Sequence, residues 1–190
     1  PMGGRLVAVV GPSGVGKDSV IDGILQALPR VRRVRRAITR APGLGGEAYD
    51  PLDDAGFDAA VARGAFCLHW GAHGLRYGLP REAVDAVRAG GWRIANLSRG
   101  ALPEAEAVFP AVTVLHITAD PQVLARRLAG RGRESDAEIA ARLGRSAKPL
   151  PPVADLVRVD NDGALADTVA QAVAALTARG APHHIEGAIR

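Results

Sequence analysis

The sequence predicts an α/β fold, a parallel sheet flanked by helices, and three observations predict it. Short apolar, β-rich runs alternate with segments of helical period, the order that parallel strands joined by crossover helices require. The first run, LVAVV, is continuously apolar and passes into a glycine-rich turn that opens a helix. A chain of 190 residues, 47% hydrophobic and 23% charged, also suits one domain with a full core.

Candidate strands run from Arg5 to Val10, Val34 to Thr39, Phe66 to Trp70, Trp92 to Leu97, Thr113 to Thr118 and Asp155 to Val159. Candidate helices run from Lys17 to Leu28, Pro80 to Ala89, Pro121 to Leu128, Asp136 to Ser146 and Ala164 to Ala178. In the first of these, Val20, Ile21, Ile24, Leu25 and Leu28 recur at helical spacing. Pro80 and Pro121 suit a first helical turn, where a missing N–H costs nothing. The stretches APGLGGEAYD and KPLPPVAD carry the Gly and Pro residues that mark loops. There is no internal repeat and no low-complexity tract.

A formal net charge of +4 suits acidic partners, either nucleic acid or small phosphorylated molecules. No recognisable nucleic-acid module or clustered basic helix accompanies that charge, so no nucleic-acid partner is expected. The one cysteine, Cys67, excludes an intramolecular disulfide and a cysteine-cluster metal site, and points to a reducing interior. No apolar run approaches the ~20 residues needed to span a bilayer. The expectation is a cytoplasmic chain with no membrane partner.

The strongest local signal is the phosphate-cradling P-loop, G-x-x-x-x-G-K followed by Ser or Thr. Gly11, Pro12, Ser13, Gly14, Val15, Gly16 and Lys17 supply the loop, but Asp18 stands where the Mg²⁺-binding hydroxyl is usual. Gly14 and Gly16 let the backbone turn its N–H groups inward, and the helix that follows aims its positive end at the phosphates. Ser19 cannot replace the missing hydroxyl, because it lies ~100° further round the helix. A carboxylate is a hard-oxygen ligand, so Asp18 is a candidate Mg²⁺ residue.

Arginines form two further sets. Arg40 ends a candidate strand in ITRAP, while Arg126, Arg127, Arg131, Arg133 and Arg142 lie across two helices and the loop GRGRES. A charge run is usually a solvated face, and for Arg126 and Arg133 that reading is as good as any role. Arg131 and Arg142 lean functional, since phosphoryl transfer needs cations that close over the developing charge.

Taken in order, GPSGVGKDS, ITRAPGLGGE, HGLRYGLP, the segment RRLAGRG with IAARL, and DNDGAL resemble the guanylate kinase-like P-loop kinases over about Arg5 to Ala178. Within that group the likeness is greatest to the ribose 1,5-bisphosphate phosphokinases of phosphonate breakdown. It rests on Asp18 after the lysine, on HWGAHGLRYGLP and on NLSR. The resemblance implies a P-loop NTPase fold in a single domain. Its core would be 5–39 and 92–178, with an acceptor-binding region at about 40–90, a lid at about 130–145 and a tail from 179. It also implies ATP and Mg²⁺ as cofactors and a small sugar phosphate as acceptor.

Departures from guanylate kinases are equally informative. Gly43 stands where they carry a second arginine, Leu79 where they carry Ser, and Asn96 and Ser98 where acidic residues accept hydrogen bonds from guanine. Leaving each buried N–H of guanine unpaired would cost ~1–3 kcal/mol. Arg99, His69, His73 and Arg76 add cationic or switchable donors instead, although His69 reads equally well as a packed strand residue. By resemblance, Lys17, Arg127, Arg131 and Arg142 would act on the transferring phosphoryl. Arg40, Glu47, His73, Tyr77, Asn96 and Arg99 would hold the acceptor, and Asn161 would border the nucleobase. No general base is needed, since a sugar phosphate oxygen is already ionised near neutral pH. A nucleoside monophosphate kinase and a non-catalytic guanylate kinase-like interaction module are the alternatives. The intact P-loop lysine and the lid arginines speak against the second.

Overall fold

The computed structural model describes residues 3–130, 135, 137–141 and 149–183. In chain order its first elements are β1 (Arg5–Val10), α1 (Lys17–Ala27), β2 (Val31–Arg33), β3 (Ala37–Ile38), β4 (Asp50–Pro51) and α2 (Asp54–Ala62). The hairpin of β5 (Phe66–Ala72) and β6 (Leu75–Pro80) follows, then α3 (Arg81–Arg88) and β7 (Trp92–Asn96). A 3-10 turn, Arg99–Ala101, leads into α4 (Leu102–Val108) and β8 (Val112–Thr118). The chain continues through α5 (Pro121–Gly130), α6 (137–141), β9 (Leu156–Asp160) and α7 (Leu165–Ala178).

Two sheets result. The larger has five parallel strands in the order β2-β7-β1-β8-β9. β1 lies at its centre, with Val7 opposite both Ile94 and Thr113. Successive β1 side chains point to opposite faces. Val7 and Val9 join α1 and α7 through Val20, Ile21, Ile24, Ala172 and Leu176. Leu6, Ala8 and Val10 join α3 and α4 through Val84, Val87 and Leu102. Both faces are therefore dry, and the run reads as uninterrupted apolar sequence. Truncating Ile24, which is 0% exposed, to Ala would cost about 2–5 kcal/mol.

The smaller sheet has the order β4-β3-β6-β5, and its β3–β6 and β5–β6 pairs are antiparallel. The expectation of parallel strands thus holds throughout the larger sheet, but in the smaller one only for the short β3–β4 pair. The reason is a two-residue connection, His73–Gly74, with φ of 54° and 74°; a turn that short joins only antiparallel strands. Of the strand expected from Val34 to Thr39 only Ala37–Ile38 forms, in the smaller sheet, and an unexpected strand, Val31–Arg33, precedes it in the larger one. Val31 packs with the α1 and α7 side of the larger sheet and Val34 with the α3 and α4 side, and the Val34 N–H still donates to Ile94 O at 2.9 Å. The chain bends there and crosses from one sheet to the other.

α2 and α4 were not among the expected helices. α2 is capped by Asp53, whose carboxylate accepts from Gly56 N at 2.7 Å, a signal hidden in a Pro-, Asp- and Gly-rich stretch. Of the helix expected from Asp136 to Ser146, residues 137–141 are helical, and 136 and 142–146 lie outside the described residues. No helix among the described residues is long and apolar enough to cross a membrane.

Candidate active site

A cleft of about 590 Å³ opens at the C-terminal ends of the parallel strands, between the two sheets. One wall is the P-loop. Gly16, at φ 93°, occupies the left-handed region that lets the chain turn into α1, and a side chain on Gly11 would meet the Ile117 carbonyl at 2.5 Å. Gly16 supplies no side-chain cap, so the first amides of α1 keep their donors for an anion. Lys17 Nζ donates to the carbonyls of Gly11 at 2.7 Å and Pro12 at 3.3 Å. Burial pulls its pKa down to about 8, Asp18 opposes the shift, and Arg36 and Arg99 add to it.

A buttress under the loop consists of groups expected to face ligand. Asn161 is 5% exposed; its Nδ2 donates to Val15 O at 2.7 Å, and its Oδ1 accepts from Thr168 Oγ1 at 2.7 Å. Arg127 donates to Asn161 O at 2.6 Å and Val15 O at 3.4 Å. The structure therefore places Arg127 against loop carbonyls rather than over the phosphates, and Asn161 beneath the loop rather than on the cleft wall. Buried carbonyls demand donors, and these two side chains supply them.

The opposite wall is built from side chains. Asp18 Oδ1 accepts from Arg33 Nη2 at 2.6 Å and from Asn96 Nδ2 at 3.1 Å. Burial pushes its pKa up, but Arg33, then Asn96 and Arg36, outweigh that and hold the carboxyl below its ordinary value. Glu47 is gripped by Arg36 through Nε at 3.2 Å and through a short Nη2 contact, and Arg36 Nη1 donates to Asn96 O at 3.2 Å. Arg36 also lies 4.9 Å from the centre of the Tyr77 ring, on which Trp70 stacks at 5.5 Å. Trp70 Nε1 donates to Ser98 Oγ at 3.0 Å. Arg40 lies 4.4 Å from the centre of the Tyr49 ring, whose hydroxyl bonds Ala41 O and accepts from Leu44 N.

The cleft thus brings together Gly11 to Gly14, Gly16, Lys17, Asp18 and Ser19 with Arg40, Glu47, His73, Tyr77, Asn96 and Arg99. His73 reaches it from the hairpin turn, in a backbone conformation rare for a residue with a side chain and concentrated at functional sites. His69 and Arg76 are not on its lining: His69 packs edge-on against Phe57, and Arg76 pairs with Asp58 at 2.7 Å. Val15 faces the core, 0% exposed. Arg131 and Arg142 lie outside the described residues, as does Arg133. Sequence reading missed Arg33, Arg36 and Tyr49. Only Tyr49 carried a local signal, closing the same GGEAY segment that holds Glu47.

Comparison with known proteins places this cleft in context. No family model matches the sequence. The chain is 49% identical over 180 residues to ribose 1,5-bisphosphate phosphokinase PhnN of Ruegeria sp. (strain TM1040), covering 94% of each chain. It is 46% identical over 179 residues to the bifunctional ribose 1,5-bisphosphokinase-thymidine phosphorylase of Azorhizobium caulinodans, covering 93% of this chain and 26% of that protein. Among solved structures, guanylate kinase from Anaplasma phagocytophilum superposes with a TM-score of 0.65 at 19% identity, over 93% of this chain and 86% of that one. That likeness shows the fold, a P-loop kinase sheet flanked by helices. Near-half identity along nearly the whole of both chains shows more: the chain belongs to the ribose 1,5-bisphosphate phosphokinase family.

Proposed function

We propose that the protein transfers the terminal phosphoryl group of ATP to the 1-phosphate of ribose 1,5-bisphosphate, giving 5-phosphoribosyl 1-diphosphate, as a step in phosphonate catabolism. The observation that carries this reading is the pairing, in one cleft, of a P-loop with a wall of arginines that lacks any carboxylate at Asn96 and Ser98. Cations there suit an acceptor bearing two phosphates, and the Tyr77 ring, engaged by Trp70 and Arg36, is packed rather than open to a base.

An ionised oxygen of the acceptor 1-phosphate attacks the γ-phosphorus of ATP, the bond to the β,γ-bridging oxygen breaks, and ADP leaves with that electron pair. No proton has to be removed, and the residues supply position and charge. Loop amides and Lys17 hold the β- and γ-phosphates, while Arg40, His73, Tyr77 and Arg99 orient the acceptor. Arg127 and Asn161 keep the loop in shape as positioning residues. Arg131 and Arg142 are assigned to the transferring group on sequence resemblance alone.

Mg²⁺ fits the donor set. Held mainly by nucleotide phosphates and water, it needs only one or two protein carboxylates. Asp18 would supply one through Oδ2, since Arg33 and Asn96 take Oδ1. When bound, the ion neutralises charge on the β- and γ-phosphates.

The test is a product assay with ATP and either ribose 1,5-bisphosphate or GMP. Phosphoribosyl diphosphate should form with the first, and GDP should not form at a comparable rate with the second. GMP as the better acceptor would replace this reading with that of a nucleoside monophosphate kinase.

A further inference from the structure

Arg33, at the end of β2, faces three carboxylates, two from α1 and one from the loop that holds Glu47. Its Nη2 lies 2.6 Å from Asp18 Oδ1 and 3.7 Å from Glu47 Oε2, and its Nη1 lies 3.5 Å from Asp22 Oδ1. Asp18 belongs to the first turn of α1, where the nucleotide phosphates end; Glu47 belongs to the acceptor loop. The contacts close into a ring: Asp18 to Arg33, Arg33 to Glu47, Glu47 to Arg36, Arg36 to the Asn96 carbonyl, and the Asn96 amide back to Asp18. The Glu47 side chain is 6% exposed, that of Arg36 10% and that of Arg33 18%, so solvent screens these three charges weakly, while Asp18, at 43%, is the member of the ring open to solvent.

We infer that Arg33 is a positioning residue that ties the metal-facing end of the P-loop to the acceptor loop and makes nucleotide and acceptor binding cooperative. This rests on the proposed reaction, which supplies the two ligands. Within the ring, two carboxylates balance two guanidinium groups. A divalent cation at Asp18 upsets that balance by weakening the attraction between Asp18 and Arg33. Nη1 stays on Asp22, Nη2 turns toward Glu47, the other carboxylate that nitrogen faces, and Glu47 holds Arg36 less tightly. Positive charge on the acceptor wall rises as the nucleotide arrives, which favours an acceptor with two phosphates. Linkage makes the effect reciprocal: the acceptor must strengthen metal-nucleotide binding by the same factor. A merely structural Arg33 would change stability, or both affinities in parallel, and leave that factor alone.

The experiment is calorimetric titration of the full chain with ribose 1,5-bisphosphate, alone and after saturation with Mg²⁺ and an ATP analogue whose γ-phosphoryl cannot transfer. In the wild type the acceptor Kd should tighten by about fivefold or more, the lower end of common coupling factors. Arg33→Ala should bring the ratio to about one. Arg33→Lys, which keeps the charge but cannot fork between two carboxylates, should give an intermediate ratio and guards against a poorly folded alanine variant. A ratio unchanged in both variants, or a wild-type ratio of one, overturns the inference while leaving the reaction standing. A wild type that binds no ribose 1,5-bisphosphate removes the functional reading, and this inference with it.

Discussion

The two walls of the cleft are made of different material. The P-loop wall acts largely through backbone: amides at the start of α1, glycines in conformations side chains resist, and carbonyls buttressed by Asn161 and Arg127. The wall proposed for the acceptor consists of side chains, and its charges pair with one another across long stretches of chain. A backbone cradle grips any nucleoside triphosphate, because every one ends in the same phosphates. A side-chain wall can be rebuilt one residue at a time, so acceptor choice can change while the donor loop stays fixed.

The comparison can be broken most sharply at Lys17. Lys17→Ala should lower the turnover rate by about 10²–10³-fold, the usual loss when one preorganised charge contact to a transition state is removed. The fold should survive, because the charge of Lys17 is disfavoured by burial. Folding shifts its pKa from 10.5 to about 8, so the unfolded chain holds a proton that the native chain has released between those values. Wild-type stability should therefore climb as pH rises through that window, and the climb should vanish in Lys17→Ala. Initial rates and denaturant unfolding at several pH values check both halves; near-normal turnover in the folded variant would end the kinase reading.

On the acceptor wall, function and stability should fall together. Arg36→Ala leaves Glu47, 6% exposed, without its closest cation, at a cost of about 3–5 kcal/mol. Pairing it with Glu47→Gln should recover much of that stability in chemical unfolding but not acceptor binding. Recovery of both would mean that Arg36 serves only the fold. Arg40→Ala should be milder, raising the KM for ribose 1,5-bisphosphate about tenfold and that for ATP by less than about twofold, since a contact to one substrate is worth ~1.4 kcal/mol at that ratio. Equal losses for both substrates would count against its place on the acceptor side.

The smallest effect concerns Asp18, where the walls meet. Asp18→Asn should raise the Mg²⁺ concentration for half-maximal rate several-fold, and Asp18→Ser should restore much of the rate if the position supplies only an oxygen. Identical Mg²⁺ curves for the wild type and both variants would show that Asp18 has no part in the metal site.

The same division explains what the sequence made legible. The P-loop could be read because its backbone requirement compresses into nine residues, Gly11 to Ser19, bracketed by an apolar strand and a helix of clear period. Arg33 and Arg36 sit in VRRVRR, where local pattern offers a solvated basic stretch. Their roles depend on Glu47 and Asn96, which the crossing between sheets brings near. Asn161 and Arg127 were assigned to ligand by resemblance, through DNDGAL and RRLAGRG, and both do lie beside the loop. The direction of each side chain follows from the buried Val15 carbonyl, which both of them satisfy and which no spacing reveals. The strand expected from Val34 to Thr39 forms only at Ala37–Ile38 for the same long-range reason, since Val34 still donates to Ile94 O of the larger sheet.

The stack of Trp70 on Tyr77 carries a practical consequence. The chain has two tryptophans; Trp92 is 3% exposed in the core, whereas Trp70 touches a cleft-lining tyrosine and hydrogen-bonds Ser98 on the same wall. The acceptor side therefore carries its own chromophore. With Trp92 replaced by Phe, emission would come from Trp70 alone, and arrival of the sugar phosphate could be followed on the stopped-flow timescale without a label, apart from the chemistry that follows.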